Sequence, residues 1–178
     1  MNQMRVPEIA IKPGAKAAHA AALQGADEGP RQYLTFVLGA EGFAIDILSI
    51  REIIEHAPLT QVPMMPAYVG GVINLRGAVV PVIDLAVRFG RAASAVSKRT
   101  CIVIIEVPNG EERQQVGLLV DAVNAVLDIA PSQIEPPPAL AGASAEAQFV
   151  LGIGKAGERV VFLLDVARVL GNDAVAAA

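Results

Sequence analysis

An internal repeat constrains the fold of this chain more than any other feature of its sequence. Two segments each run from a glycine to an aspartate over the same number of residues, and a further glycine follows each aspartate at the same distance. The matching parts are Gly71 to Asp84 with Gly152 to Asp165, then Gly90 with Gly171, and earlier Ala44-Ile45-Asp46 with Leu119-Val120-Asp121. Agreement at two places in the same order predicts that a small β unit has been duplicated.

Short runs of β-branched and aromatic residues, separated by turn-forming residues, predict strands along most of the chain. The predicted hairpins lie at 33–47, 71–84, 101–120 and 149–165. Pro81 predicts a sheet edge or a bulge within its strand. Over 47–54 the apolar spacing suits either one or two helical turns or a bent strand, and both remain open. Short strands at this spacing predict an all-β fold of two small barrels that share an interface, with short helical segments.

The composition of the chain ends differs from that of the middle. The first residues mix Ala, Gly, Pro and charge without a helical or strand period, which is typical of a disordered tail. The predicted units are a disordered N-terminal tail at 1–30, a folded region at 31–172 with a first barrel at about 31–90, a second at about 99–166 and a closing helix at about 166–171, and a C-terminal tail at 173–178.

Charge, cysteine content and hydropathy exclude several classes of function. A net charge of −4 argues against a nucleic-acid surface, which needs clustered Lys and Arg. The single cysteine, Cys101, allows no internal disulfide and predicts a reducing compartment, the cytoplasm. Pro81 and Asp84 interrupt the most apolar stretch, so we expect no direct membrane insertion. Contact with a membrane is therefore expected to go through a partner.

The residues that might carry chemistry have structural interpretations that are favoured over catalytic ones. Residues 152–157 satisfy G-x-G-x-x-G, but a strand-like run follows where a dinucleotide site needs a helix, so a hairpin turn is predicted. His56 has no second His or Cys at metal-ligand spacing, and Cys101 reads as a buried core residue. Turn or cap roles are predicted for Asp46, Asp84, Asp121 and Asp165. No enzyme activity, cofactor or metal is predicted.

Arg76 is the polar side chain with the clearest potential for recognition. It lies in a predicted tight turn from Asn74 to Gly77, between two apolar strands. A guanidinium on such a base can bind a partner's carboxylate through two parallel hydrogen bonds. The alternative is a pair with an acidic residue of the same chain, Glu52 or Glu55, and spacing alone favours neither interpretation.

The sequence from about Gln32 to Gly171 resembles the CheW family of bacterial chemotaxis coupling proteins. The resemblance rests on the order and spacing of the segments 42–54, 66–77, 80–85, 116–121 and 149–152. It implies two five-stranded SH3-like β-barrels and no catalysis. It also implies an adaptor in the cytoplasm that joins the tip of a methyl-accepting chemotaxis receptor to the regulatory domain of the histidine kinase CheA, at membrane receptor arrays. The alternative is a coupling protein for a chemotaxis-like pathway that controls another output, such as twitching motility or development.

The resemblance also implies which residues contact each partner. Those near the receptor groove would be Ile50, Val72, Cys101, Val120 and Val123. Those on kinase-facing surfaces would be Glu52, Arg76 and Leu140. Because the duplicated segments carry more apolar residues than two small cores can bury, the region of Ile50 and Val120 is expected to form an exposed apolar groove.

Overall fold

The protein is built almost entirely of strands, as the sequence predicts. A computed structural model describes residues 29–137 and 148–177, with side chains as far as Gly171. The strands of this part are β1 (Arg31–Leu38), β2 (Glu41–Asp46), β3 (Ile50–Glu55), β4 (Val69–Leu75), β5 (Ala78–Asp84), β6 (Cys101–Asn109), β7 (Glu112–Val120), β8 (Ala122–Ile129), β9 (Ile134–Glu135), β10 (Val150–Ala156) and β11 (Arg159–Leu164). The helices are α1 (Leu85–Arg88) and α2 (Val166–Ala177), with 3₁₀ turns at Ile47–Ser49 and Pro131–Gln133.

The strands form two sheets of similar design. The first sheet has six strands in the order β8-β1-β2-β11-β10-β9, and the second has five in the order β3-β6-β7-β5-β4. Each contains one parallel pair, β2 with β11 in the first and β5 with β7 in the second, and its other pairs are antiparallel. The all-β prediction and the four predicted hairpins are confirmed, while β8 and β9 were not predicted.

The two repeats exchange strands with each other. The six-stranded sheet joins the β1–β2 hairpin of the first repeat to β8–β11 of the second, and the five-stranded sheet joins the β6–β7 hairpin of the second to β3–β5 of the first. The chain passes from one sheet to the other after each of these two exchanged hairpins. It does so through the 3₁₀ turn at Ile47–Ser49 after β2 and through Asp121 after β7. The expected division into one unit at 31–90 and another at 99–166 therefore does not follow the sheets.

One central core lies between the two sheets and contains residues of both. Phe36 and Phe43 of the first sheet belong to the same buried cluster as Ile105 and Leu118 of the second. A smaller cluster belongs to each sheet, around Val82 in the second and around buried residues of β2, β8 and β11 in the first. The sheets are thus joined by a shared apolar layer whose burial favours the folded state.

Three of the four aspartates at strand ends cap the turns that follow them. Asp46 accepts a hydrogen bond from the Leu48 amide at 2.8 Å and Asp84 from the Ala86 amide at 3.0 Å. Asp121 accepts from the Gly39 amide at 2.7 Å and Asp165 from the Arg168 amide at 3.3 Å. The predicted turn and cap roles are confirmed for Asp46, Asp84 and Asp165. Asp121 instead bonds the β1–β2 turn, which lies far from it in sequence.

Two open points of the sequence analysis are settled by the strand geometry. Residues 47–54 form both alternatives in succession, a 3₁₀ turn and then β3. Pro81 lies in β5, an inner strand, but the pairing of β5 with β7 covers only Val82 to Asp84. On that side Pro81 needs no ladder hydrogen bond, so it occupies a local edge as predicted.

Only part of each chain end lies within the described residues. The predicted closing helix begins at Val166, and its backbone leaves helical geometry at Gly171 (φ 64°, ψ 169°) before turning helical again as far as Ala177. A C-terminal tail was expected over 173–178, but the alanines there are strong helix formers. The predicted disordered tail at 1–30 lies outside the described residues apart from Gly29 and Pro30. In the described ranges, no helix combines the length and hydropathy that crossing a bilayer requires.

Candidate functional site

Arg76 projects from a tight turn between β4 and β5. The two residues of this turn both have positive φ, 54° for Arg76 and 88° for Gly77, which is typical of a type I′ hairpin turn. The Gly77 amide donates to Asn74 Oδ1 at 3.0 Å and closes the turn. A non-glycine residue at positive φ is uncommon, so the backbone of Arg76 is held by its surroundings.

The guanidinium of Arg76 binds Glu52 of β3 through two hydrogen bonds. Nη1 donates to Oε2 at 2.6 Å and Nη2 donates to Oε1 at 2.8 Å. The Arg76 side chain is 69% exposed and that of Glu52 is 26% exposed. Of the two interpretations left open, the intrachain pair with Glu52 is the one found. Because β3 and β4 are opposite edges of the five-stranded sheet, this pair requires a strongly curved sheet.

The ion pair shifts the protonation equilibria of both of its members. Hydrogen bonding from Arg76 is the main reason that the pKa of Glu52 is lowered from its ordinary value, against a smaller opposing effect of burial. The same hydrogen bonds raise the pKa of Arg76. Both shifts favour the charged forms, so the pair is an ionised, directional contact on the protein surface.

Three of the apolar residues assigned to the receptor groove are core residues. Ile50, Cys101 and Val120 are 6%, 3% and 0% exposed and belong to the central core. An exposed groove formed by Ile50 and Val120 is therefore excluded, because the sheets bury both side chains between them. The predicted buried role of Cys101 is confirmed, and burial raises the pKa of its thiol, with a further contribution from Glu55.

The structure brings the predicted residues together in two groups. Val123 is half-buried against the central core that holds Ile50, Cys101 and Val120, and its amide faces the Cys101 sulfur. Glu52 and Arg76 form the second group. Val72 lies apart from both groups, on β4, where it pairs with Pro81 of β5. Leu140 falls outside the described residues.

Several surface residues were missed by the sequence analysis. Ile53 of β3 and Val126 of β8 are half-buried against the central core, as Val123 is. The signal for β8 was present in its β-branched residues, which follow Asp121 at irregular spacing. Val79 and Val160 occupy matching positions in the β4–β5 and β10–β11 hairpins, and both are more than half exposed.

The glycine motif forms the end of a hairpin, as predicted. Gly152 and Gly154 lie within β10, and Gly157 has a φ of 67° in the turn before β11. A strand follows the motif, so it does not open a helix as a dinucleotide site requires. Among the described residues, no group of three or more His, Cys, Asp and Glu side chains is placed to hold a metal ion.

These features define a duplicated all-β scaffold. Two sheets interlock around one core, matching hairpins each present an exposed valine, and an exposed Arg–Glu pair braces the edges of one sheet. The chain belongs to the family of CheW-like domains, whose family model matches residues 32–174. The resemblance found in the sequence is thereby confirmed.

Comparison with known proteins agrees with this assignment. The chain is 39% identical over 145 residues to a probable chemotaxis protein CheW of Rhizobium etli, with 82% of this chain and 90% of the relative covered. It is 34% identical over 146 residues to the chemotaxis protein CheW of Klebsiella aerogenes, with 82% and 85% covered. The crystal structure of the scaffolding protein TtCheW from Thermoanaerobacter tengcongensis is similar, with a TM-score of 0.72, 34% identity, and 82% and 95% covered.

Proposed function

We propose that this chain is a chemotaxis adaptor that couples methyl-accepting chemoreceptors to the histidine kinase CheA by protein–protein binding. The observation that carries the proposal is the CheW-like family match, which spans residues 32–174. Relatives named chemotaxis protein CheW and a scaffolding protein of similar structure support it. The adaptor acts without catalysis or a cofactor, in the cytoplasm, and is recruited to membrane arrays through its partners.

The kinase-facing surface is proposed to include Glu52, Arg76 and Leu140. The exposure of the Arg76 side chain supports this, because the guanidinium retains donors for a partner while it holds Glu52.

We also propose that the protein has two docking faces, which the exposed valines of the two matching hairpins, Val79 and Val160, support. A duplicated fold with two different docking faces can bind neighbours head to tail, and such contacts close into rings when the rotation permits.

The receptor tip is proposed to contact the surface over the central core rather than the buried residues beneath it. Of the five residues assigned there, Val123 is partly exposed on this surface, while Ile50, Cys101 and Val120 support it from inside. Val72 is also partly exposed but lies apart from this surface, on β4. Ile53 and Val126 extend this surface because they pack on the same core. An apolar surface with a packed base suits the apolar face of a helical hairpin.

Binding to each partner tests the proposal directly. Calorimetry of the wild-type protein against a CheA regulatory domain and a receptor cytoplasmic fragment is expected to detect both complexes. Val123→Asp is expected to weaken receptor binding about tenfold or more and to spare kinase binding, because it places a charge in an apolar contact. Arg76→Ala is expected to weaken kinase binding and to spare receptor binding.

Arg113→Ala is the matched control, since it removes from β7 an exposed arginine that is also paired with a glutamate, Glu106. It is expected to bind both partners as the wild type does. Unchanged affinity of Arg76→Ala for both partners would exclude its role, and a wild-type chain that binds neither partner would contradict the adaptor function. A chain that binds a kinase and receptor of another chemotaxis-like system instead would support the alternative pathway.

A further inference from the structure

Arg88, the last residue of α1, lies where the two repeats meet. Its guanidinium carbon is 4.2 Å from the centroid of the Tyr68 ring and 4.9 Å from that of the Phe149 ring. Tyr68 and Phe149 are equivalent, because each accepts a backbone hydrogen bond at 2.8 Å from the aspartate that ends its repeat's hairpin, Asp84 or Asp165. One cation thus contacts the matching aromatic residues of both repeats.

The same guanidinium binds the end of the first helical segment of α2. Nε donates to the Val169 carbonyl at 2.6 Å, and Nη2 donates to the Arg168 carbonyl at 3.4 Å. Helical geometry stops at Gly171, so the carbonyls of this turn lose the amide donors that a continuing helix supplies. Arg88, from the other repeat, provides donors in their place.

The conformation of Gly171 and its lack of a side chain both suit this contact. Its φ of 64° is a conformation that L-residues other than glycine rarely adopt. A Cβ atom at this position would lie 2.9 Å from Nη2 of Arg88. The glycine therefore ends the helical segment and leaves room for the guanidinium at the same point.

Helix α2 covers apolar side chains of the central core. Val169 and Leu170 are buried there. Phe89, next to Arg88, stacks on Phe149 with ring centroids 5.4 Å apart, and both rings belong to the same cluster. Displacement of α2 would uncover this part of the core while the strand pairs of both sheets stayed intact.

We propose that Arg88 is a latch that fastens α2 over this part of the core, and that α2 detaches as a unit when the latch is removed while the two sheets stay folded. Helix α2 is the last of the described elements and belongs to neither sheet, whereas the sheets are interlocked by exchanged hairpins. Segments held by few contacts open at lower free energy than the core of a protein. The proposal is independent of the partners that the protein binds.

Hydrogen exchange of the full-length protein, followed by mass spectrometry, tests the latch. Arg88→Met keeps an apolar stem but removes the donors, and Arg88→Lys keeps the charge but removes the planar fork. In Arg88→Met we expect amides of 166–171 to exchange at least about tenfold faster than in the wild type, while those of β6 and β7 are unchanged. Arg88→Lys should lie between the two, and the control Arg159→Met should match the wild type.

Unchanged exchange of 166–171 in Arg88→Met would overturn the latch, and so would an equal acceleration in α2 and in β6 and β7, which reports global destabilisation. Gly171→Ala provides a second test if Arg88→Met does not fold. It keeps Arg88 but strains the helix end and crowds the guanidinium, so the same selective acceleration is expected. Exchange in Gly171→Ala that matches the wild type would also refute the proposal.

Discussion

At the scale of single residues, one ion pair shows how a sequence pattern can fit two interpretations. The turn at Arg76 was predictable from Asn74 and Gly77, but the identity of its carboxylate partner was not, since Glu52 lies on a strand from the opposite edge of the sheet. The two parallel hydrogen bonds fix both the distance and the angle between these edges. Arg76 therefore serves the fold through this intrachain pair.

Removal of Arg76 should make stability depend less on pH. The pKa of Glu52 is lower in the folded protein, so the pair stabilises the fold above the ordinary pKa of a Glu carboxyl, and this stabilisation is lost as the pH falls through the folded-state pKa. We expect Arg76→Ala to unfold at lower urea than the wild type at neutral pH, with the difference shrinking below about pH 4. Urea titrations at several pH values measure this.

Glu52→Gln controls for the acidic partner of the pair. It should show the same trend as Arg76→Ala, and the double variant should lose little more than either single one, because all three lack the same interaction. A difference between Arg76→Ala and wild type that stays constant on acidification would contradict the assignment.

At the scale of elements, each repeat contains a short segment that pairs with one of its strands beside a glycine. Thr60 exchanges two backbone hydrogen bonds of 2.9 Å with Val72, beside Gly71, and β9 pairs with β10 beside Gly152. A Cβ on Gly71 would lie 2.7 Å from the Thr60 carbonyl oxygen, and one on Gly152 would lie 2.8 Å from that of Glu135. The repeated glycine of the sequence thus marks a close approach of two backbones.

Gly152→Ala should destabilise the protein by about 1–3 kcal/mol, because the added methyl must push β9 away from β10. Thermal unfolding and urea titration of the variant check the value. Gly42→Ala, in β2, is the control, since its Cβ would meet Val161 Cγ1 at an ordinary 3.4 Å and should be tolerated. Equal stability of Gly152→Ala and the wild type would contradict the prediction that the pairing of β9 with β10 requires a glycine at this position.

At the scale of the whole molecule, the exchange of hairpins makes each repeat the partner of the other. The repeats are joined by a connector between α1 and β6 that contains no strand, and neither sheet is complete without strands from both sides of it. Half of the chain would expose apolar residues of the central core and leave strand edges unpaired. The two repeats therefore form one cooperative unit rather than two domains.

A chain cut between Ala95 and Val96 should remain one folded particle. We expect the two fragments to elute together at the size of the intact protein and to keep its circular dichroism spectrum, since the cut removes no strand pair. Each fragment produced alone should lack a cooperative thermal transition as a monomer, and mixing should restore it. Separate elution of two fragments that each unfold cooperatively would contradict this model.

The sequence by itself determined the all-β class, the hairpins, the duplication and the family, because alternation, turn residues and repeat spacing are local properties of the chain. It also determined that Cys101 is buried and that Asp46, Asp84 and Asp165 are caps, whereas the bond of Asp121 to the distant Gly39 depends on the tertiary structure. Tertiary structure decided which strands share a sheet, that Glu52 is the partner of Arg76, and that Ile50 and Val120 are interior. These outcomes depend on pairing and packing between segments that are distant in sequence. Because the two repeats have similar strands, a hairpin can pair with strands of its own repeat or of the other one, and spacing along the chain does not decide which.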